Sequence, residues 1–383
     1  MRKQLIPKLR FPEFKGEWKN VELKKVATIN PKNEGLPNSF IYVDLESVNK
    51  GILLKEERIF KTNAPSRAQR ILLKEDILYQ TVRPYQKNNY FFNKLEKDYV
   101  ASTGYAQIRT INNSSYLYQY LHTNYFVNKV ILRCTGTSYP AINSNDLSKI
   151  KINIPQLEEQ QKIASFLTAV DTKITQLTKK KTLLEQYKKG VMQKIFKQEI
   201  RFKDANGNNY PKWETKKLGE IFNISAGGDI KKENVSKLKN ERFKYPIYAN
   251  SDKLKGLYGF SDIFKIDYDC ITITGRGSLG VAIARKELFY PIVRLLVLNP
   301  KIKANITFFE NAINQLNILS ESTGVPQLTA PQISSYKVNY PCIEEQTKIA
   351  NFLRAIDKKI ALVNTQLNTT KTFKKGLLQQ LFV

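Results

Sequence analysis

One segment of this chain occurs twice, and the two copies lie 186 residues apart. Residues 155–196 (PQLEEQQKIASFLTAVDTKITQLTKKKTLLEQYKKGVMQKIF) align without a gap on 341–382 (PCIEEQTKIANFLRAIDKKIALVNTQLNTTKTFKKGLLQQLF), and 18 of the 42 positions are identical. Pro155, Glu158, Gln160, Phe166, Asp171 and Gly190 match Pro341, Glu344, Gln346, Phe352, Asp357 and Gly376. A repeat this long, free of insertions, is one supersecondary unit used twice. Any fold for the chain must accommodate it twice.

Within each copy the apolar residues recur in steps of four and three. The first seam runs Ile163, Leu167, Val170, Ile174, Leu177, Leu184, Val191, Ile195, interrupted at Lys181 and Lys188. The second runs Ile349, Leu353, Ile356, Ile360, Val363, Leu367, Leu377, Leu381, interrupted at Thr370 and Lys374. Such spacing predicts a coiled-coil helix. A proline and a glutamate pair precede each seam, as suits a helix N-terminus. A helix of some 40 residues is about 60 Å long, too long to lie on one small domain. The alternative is that each stripe packs on its own globular domain, but a two-position seam is narrower than a typical core-facing stripe. The two helices are expected to zip together antiparallel within the chain, because the second must bring the chain back.

The duplication extends outside the helices. Trp18–Val26 resembles Trp213–Ile221, Arg10-Phe11 recurs as Arg201-Phe202, and 137–155 runs gap-free against 323–341. Between these flanks similarity nearly vanishes, although Asp76–Arg83 can be laid on Asp269–Arg276. The middle regions are rich in Val, Ile, Tyr and Thr in short runs broken by Gly, Pro and Asn, which reads as α+β. The resulting expectation is a pseudo-twofold α+β chain, with two globular domains separated by an intramolecular antiparallel coiled coil. The divisions are 1–153, a first domain; 154–200, a first spacer helix; 201–339, a second domain with 201–212 as linker; and 340–383, a second spacer helix.

The 383 residues carry a net charge of +28. A folded chain this basic meets a polyanion. No run of 18 apolar residues occurs and the basic N-terminus lacks an apolar core, so nucleic acid is favoured over a membrane. Three scattered cysteines, Cys134, Cys270 and Cys342, form no disulfide framework and no CxxC pair, as expected in a reduced, cytoplasmic compartment. The single histidine, His122, lies in an aromatic-rich helical stretch and reads as structural.

Catalytic motifs are lacking. There is no Walker A sequence, and no Pro-Pro dipeptide of the kind in the amino-methyltransferase loop. Pro12-Glu13 with Glu17 and Lys19 only faintly echoes a nuclease motif. Gly275-Arg276-Gly277-Ser278-Leu279-Gly280 matches GxGxxG, but both flanks read as strands where a dinucleotide site needs a helix N-terminus. A strand–loop–strand with Arg276 at its tip suits a groove better. No cofactor, metal or catalytic residue is therefore expected.

At this point the residues resemble a known family, the specificity subunits of type I restriction–modification systems. The likeness spans essentially the whole chain. It rests on the Pro-x-x-Glu-Glu-Gln-x-x-Ile helix starts at 155–163 and 341–349, the Phe-Leu-x-x-x-Asp-x-x-Ile continuations at 166–174 and 352–360, the Lys-Lys-Gly endings, and the openings at Trp18 and Trp213. The resemblance implies two target-recognition domains, each reading half of a bipartite, asymmetric double-stranded DNA site. It implies helices that set the spacer and dock two methyltransferase (modification) subunits. Those partners hold S-adenosylmethionine and methylate adenine, and restriction/translocase subunits add ATP-driven cleavage. The chain itself would be non-catalytic. The expected partner-binding residues are Glu158, Glu159 and Gln160 on the first helix and Glu344, Glu345 and Gln346 on the second.

Base reading needs Arg, Lys, Asn, Gln, Ser and Thr on protruding loops, while phosphate contacts supply affinity without sequence information. The candidates are Arg83, Tyr85, Gln86, Lys87 and Ser138 in the first domain, and Arg276, Ser278 and Gln327 in the second. Two other functions stay open from the residues alone. An independent methyltransferase or nuclease would bind S-adenosylmethionine or cut DNA with Mg²⁺, and a coiled-coil adaptor would bind RNA or ribosomes without sequence preference.

Overall fold

The computed structural model describes residues 5–95, 98–318 and 327–383. Two long helices, Leu157–Phe196 and Ile343–Gln380, dominate it. Each begins with two glutamates in its first turn, where the unpaired N–H groups favour negative charge. The first ends without glycine, as Gln198 takes a left-handed φ of 61° and the amides of Glu199 and Ile200 return to Lys194 O. The seams are as read. Ile163, Leu167, Leu177 and Ile195 are buried on one helix, and Ile349, Leu353, Ile356, Val363, Leu367 and Leu377 along the other, with Leu381 buried just past its end. The two helices pack together as a coiled coil, each buried leucine contributing about 1.5–3 kcal/mol.

The chain divides into two compact units, 1–179 with 364–383, and 180–363. Each unit therefore owns half of each long helix. In the first, Lys374 pairs with Asp171; in the second, Lys188 pairs with Asp357. Both pairs require the helices to run antiparallel.

The globular part of the first unit holds two four-stranded sheets. One is antiparallel, in the order Ala27–Ile29, Tyr105–Thr110, Ile77–Gln80, Tyr90–Phe91. The other runs Arg58–Phe60, Ser39–Val43, Tyr99–Ser102, Ala68–Ile71, with Ser39–Val43 and Tyr99–Ser102 parallel. The second unit repeats the plan. Its antiparallel sheet is Phe222–Ala226, Leu296–Pro300, Cys270–Ile273, Ala282–Arg285, and its second sheet is Val235–Ser236, Leu257–Ser261, Tyr245–Tyr248, Tyr290–Pro291. In that sheet Tyr245–Tyr248 and Tyr290–Pro291 are the parallel pair. The strands Ile77–Gln80 and Cys270–Ile273 are buried at every residue, which is why their sequences do not alternate.

Each domain is closed by a two-stranded ribbon at the foot of a long helix. Lys19–Glu22 pairs with Lys151–Ile154, and Glu214–Lys217 with Lys337–Tyr340. The first core gathers Trp18, Tyr116 and Tyr120 around Ile163 and Leu167 from the start of one helix and Leu381 and Phe382 from the end of the other. The second does the same, with Phe308 and Phe309 around Ile349 and Leu353 and with Met192 and Ile195. The seams thus serve both purposes set against each other above, packing on a domain at their ends and on each other between.

Candidate nucleic-acid interface

Each domain is fastened to a long helix by the same buried clasp. In the first, Arg10 donates to both Glu159 carboxylate oxygens at 2.8 and 2.7 Å, and Trp18 Nε1 adds a bond at 3.3 Å. In the second, Arg201 donates to Glu345 at 3.3 and 2.6 Å, with Trp213 Nε1 at 3.2 Å. The adjacent glutamines match as well. Gln160 Nε2 donates to Pro155 O and its Oε1 accepts from Asn113 N; Gln346 does likewise with Pro341 O and Asn305 N. Asn113 and Asn305 are also the N-caps of equivalent helices, Ser114–Leu121 and Ile306–Ile313.

This corrects the expectation for four partner-binding residues. Glu159, Gln160, Glu345 and Gln346 are at most 3% exposed and spend their polar atoms inside their own domain, because Arg10 and Arg201 cover them. Only Glu158 and Glu344 face outward.

The loop after the strand Ile77–Gln80 forms the first candidate reading edge. Val82 bridges Ala141, Ile142 N donates to Thr81 O at 3.0 Å, and Arg83 N donates to Pro140 O at 2.7 Å. These bonds bring Arg83 against Tyr139 and Pro140, on the segment that carries Ser138. The Arg83 guanidinium lies 4.1 Å from the centroid of the Tyr139 ring, a cation–π contact that fixes its plane. Tyr85 and Gln86 are exposed, Gln86 accepting from Gln80 Nε2 at 3.0 Å. Ser138 is exposed on the facing segment.

Lys87 does not join them. It takes a left-handed φ of 54°, and its ammonium folds inward to donate to His122 O at 2.8 Å and Asn124 Oδ1 at 2.7 Å. Burial, aided by the charge of Lys375, holds it below the ordinary lysine value. Lys87 is a brace for the domain, and its expected place at the reading edge is corrected.

The equivalent edge of the second domain is the turn of the hairpin Cys270–Ile273 and Ala282–Arg285. Arg276 bridges Gln327 in the backbone, and Arg276 Nη2 donates to Gln327 Oε1 at 3.1 Å. Leu328 N donates to Gly275 O at 2.8 Å, mirroring the bond from Ile142 to Thr81. Ser278 is exposed in the same turn, where its carbonyl accepts from Thr274 Oγ1. The glycines of the GxGxxG stretch serve this turn. A Cβ on Gly275 would lie 2.8 Å from Leu328 O, and Gly277 and Gly280 have φ of +68° and +77°.

His122 ends the helix Ser114–Leu121, with Nδ1 2.7 Å from Tyr118 O. Burial holds its pKa down at about 4. Among the described residues no group of three or more His, Cys, Asp or Glu side chains could hold a metal, and no helix is long and apolar enough to cross a membrane. Sequence reasoning passed over Tyr139, which orients Arg83, and the Arg–Glu–Trp clasps. The recurrence of Arg10 and Trp18 as Arg201 and Trp213 beside a repeated Glu was the signal for the clasps.

The two domains are alike in fold and present different arginine loops on one duplicated scaffold. A family model described as the type I restriction modification DNA specificity domain matches residues 15–186 and 210–371. The chain belongs to this family, the type I restriction–modification specificity subunits, and carries two target-recognition domains. A type I specificity subunit of Mycoplasma pneumoniae is 30% identical over 213 residues, 56% of this chain and 57% of that protein. The MjaVIII specificity subunit of Methanocaldococcus jannaschii is 25% identical over 273 residues, 64% of each. The chain thus spans about three fifths of the length of these curated relatives. The crystal structure of the type I S subunit from M. genitalium superposes with a TM-score of 0.68 at 18% identity, covering 98% of this chain and 99% of that one. That likeness is one of fold.

Proposed function

We propose that the chain is the non-catalytic sequence-recognition subunit of a cytoplasmic type I restriction–modification complex. Each domain reads one half of a bipartite, asymmetric duplex DNA site. The paired helices set the distance between halves and dock two methyltransferase subunits, to which restriction/translocase subunits are added. Arg83, Tyr85, Gln86 and Ser138 read the first half-site; Arg276, Ser278 and Gln327 read the second. Glu158 and Glu344, exposed at the helix starts, face the methyltransferases.

The observation that carries this reading is a contrast. The clasps at Glu159 and Glu345 are the same, whereas the loops of the two domains carry an arginine stacked on Tyr139 and an arginine bonded to Gln327. A scaffold duplicated in detail with unlike tips is what an asymmetric bipartite site requires. The charge of +28 supplies the phosphate affinity. Mapping modified adenines in host DNA tests the proposal. It is supported by one motif with two dissimilar halves at a fixed spacing; a continuous or palindromic motif, or none that depends on this chain, refutes it.

A further inference from the structure

The Arg276 turn is tied to a second feature that the sequence does not announce. Gly275 N donates to Asn250 Oδ1 at 2.7 Å, and Asn250 Nδ2 donates to Val293 O. Val293 and the next residue, Arg294, both take left-handed backbone, with φ of 53° and 58°. A β-branched residue such as Val293 is a genuine outlier there, and two left-handed non-glycine residues in succession persist only where the surroundings impose them. They are imposed by bonds from Val293 N to Gly228 O at 3.1 Å and from Arg294 N to Gly227 O at 3.0 Å. Gly227 must be glycine, since a Cβ would sit 2.7 Å from Pro291 O. The result is an exposed Arg294 whose side chain has no hydrogen bond or ion pair among the described residues.

The first domain makes the same connection, between Tyr99–Ser102 and Tyr105–Thr110, with Thr103-Gly104. There Gly104 O accepts from Thr81 N and Oγ1, at 3.2 and 2.8 Å, so this turn also abuts the reading loop. One location in the fold thus flanks the reading arginine in both domains. It bears an arginine in the second and none in the first.

We propose that Arg294 is a second base-reading side chain of the second domain, and that Asn250 is the positioning residue for both Arg276 and Arg294. The ligand is the major-groove edge of guanine, whose O6 and N7 take the guanidinium fork. The inference rests on the reading of the chain as a DNA-recognition subunit.

The test uses the full chain assembled with its methyltransferase subunits and a randomised duplex library. Arg294→Ala is expected to lose roughly tenfold or more of the discrimination at one base pair of one half-site, leaving the other half-site unchanged. Arg294→Lys should lose it too, because an ammonium cannot replace the fork. Asn250→Ala should relax two base pairs of that half-site together, the second being the one relaxed by Arg276→Ala. Full retention by Arg294→Lys, or equal weakening on every sequence in Arg294→Ala, would make the residue a phosphate contact and overturn the proposal. Asn250→Ala relaxing neither base, or only the Arg276 base, overturns the positioning role. If the wild-type assembly selects no sequence at all, the recognition reading itself falls and this inference with it.

Discussion

Lys374 Nζ lies 2.6 Å from Asp171 Oδ1, while Asp171 Oδ2 accepts a 2.7 Å bond from Gln119 Nε2. One carboxylate thereby joins both long helices to the first domain. The repeat places Asp357 and Lys188 in the matching positions, paired at 2.6 Å. There the residue matching Gln119 is Asn311, which turns back to Thr307 O instead. Asp357 is also more exposed, at 51% of its side chain against 35% for Asp171.

The two pairs should therefore differ in strength. Asp171→Asn is expected to cost ~1 kcal/mol, and Asp357→Asn less than half of that, because exposed pairs contribute little. Urea unfolding of the two variants measures the difference. Equal losses would show that the Gln119 bond adds nothing.

The buried clasps predict larger effects. Removing Glu159 leaves Arg10 without its carboxylate in a site 3% exposed, and breaking a buried pair costs about 3–5 kcal/mol. The chain has two tryptophans, and each belongs to one clasp. In a Trp213→Phe background Trp18 fluorescence reports the first clasp alone; in Trp18→Phe, Trp213 reports the second. Glu159→Ala should lower the urea midpoint seen by Trp18, and Glu345→Ala that seen by Trp213. A change smaller than 1 kcal/mol in both would mean the clasps are ornamental.

The periodic parts of this architecture were legible, and the long-range parts were not. A 3.5-residue rhythm survives in the sequence whatever lies opposite, so both seams could be placed residue by residue. Lys188 and Lys374, however, looked like interruptions and are half of the ion pairs that set the helix register. The Glu-Glu-Gln starts were expected to bind partner subunits. Their burial depends on Arg10 and Arg201, nearly 150 residues away in sequence, and local pattern holds no record of that distance. The candidate reading loops show the same limit. Arg83 and Arg276 stood out by chemistry, whereas Lys87 was turned inward by its left-handed backbone and Tyr139 was recruited across the fold.

His122 gives the first unit a pH dependence of known sign. Burial depresses its folded pKa to about 4, below an ordinary value near 6.5, so the unfolded chain binds the extra proton first. The groups facing it are Lys87 and Lys374, which also lower the value, and Tyr118 O and Asp171, which raise it. Its contribution is whole above about pH 6.5 and falls as pH drops toward 4, by ~3 kcal/mol in total. His122→Gln should be less stable at pH 7 yet lose less between pH 6.5 and 4 in paired urea titrations. Parallel curves would show that the imidazole is not buried neutral.

Lys87 and Arg83 separate support from reading. Lys87→Ala should lower stability by ~1–2 kcal/mol through its two lost bonds while leaving the selected DNA sequence intact. Arg83→Ala should do the reverse, relaxing one base of one half-site at little cost in stability. Library selection with each variant distinguishes them, and a changed base preference in Lys87→Ala would return that residue to the interface.

The helix pair predicts a change of spacing without a change of sequence. Residues 173–179 and 366–372 face one another in the register set by Asp171 and Lys374. Deleting both removes one heptad from each helix, keeps the seams in phase, and shortens the pair by about 10 Å at 1.5 Å per residue. The clasps and reading loops lie outside the deletion, so both half-site sequences should persist. Methylation footprints should show the same two halves across a shorter spacer. The original spacer, retained at full occupancy, would mean that the helices hold the domains without measuring the distance between them.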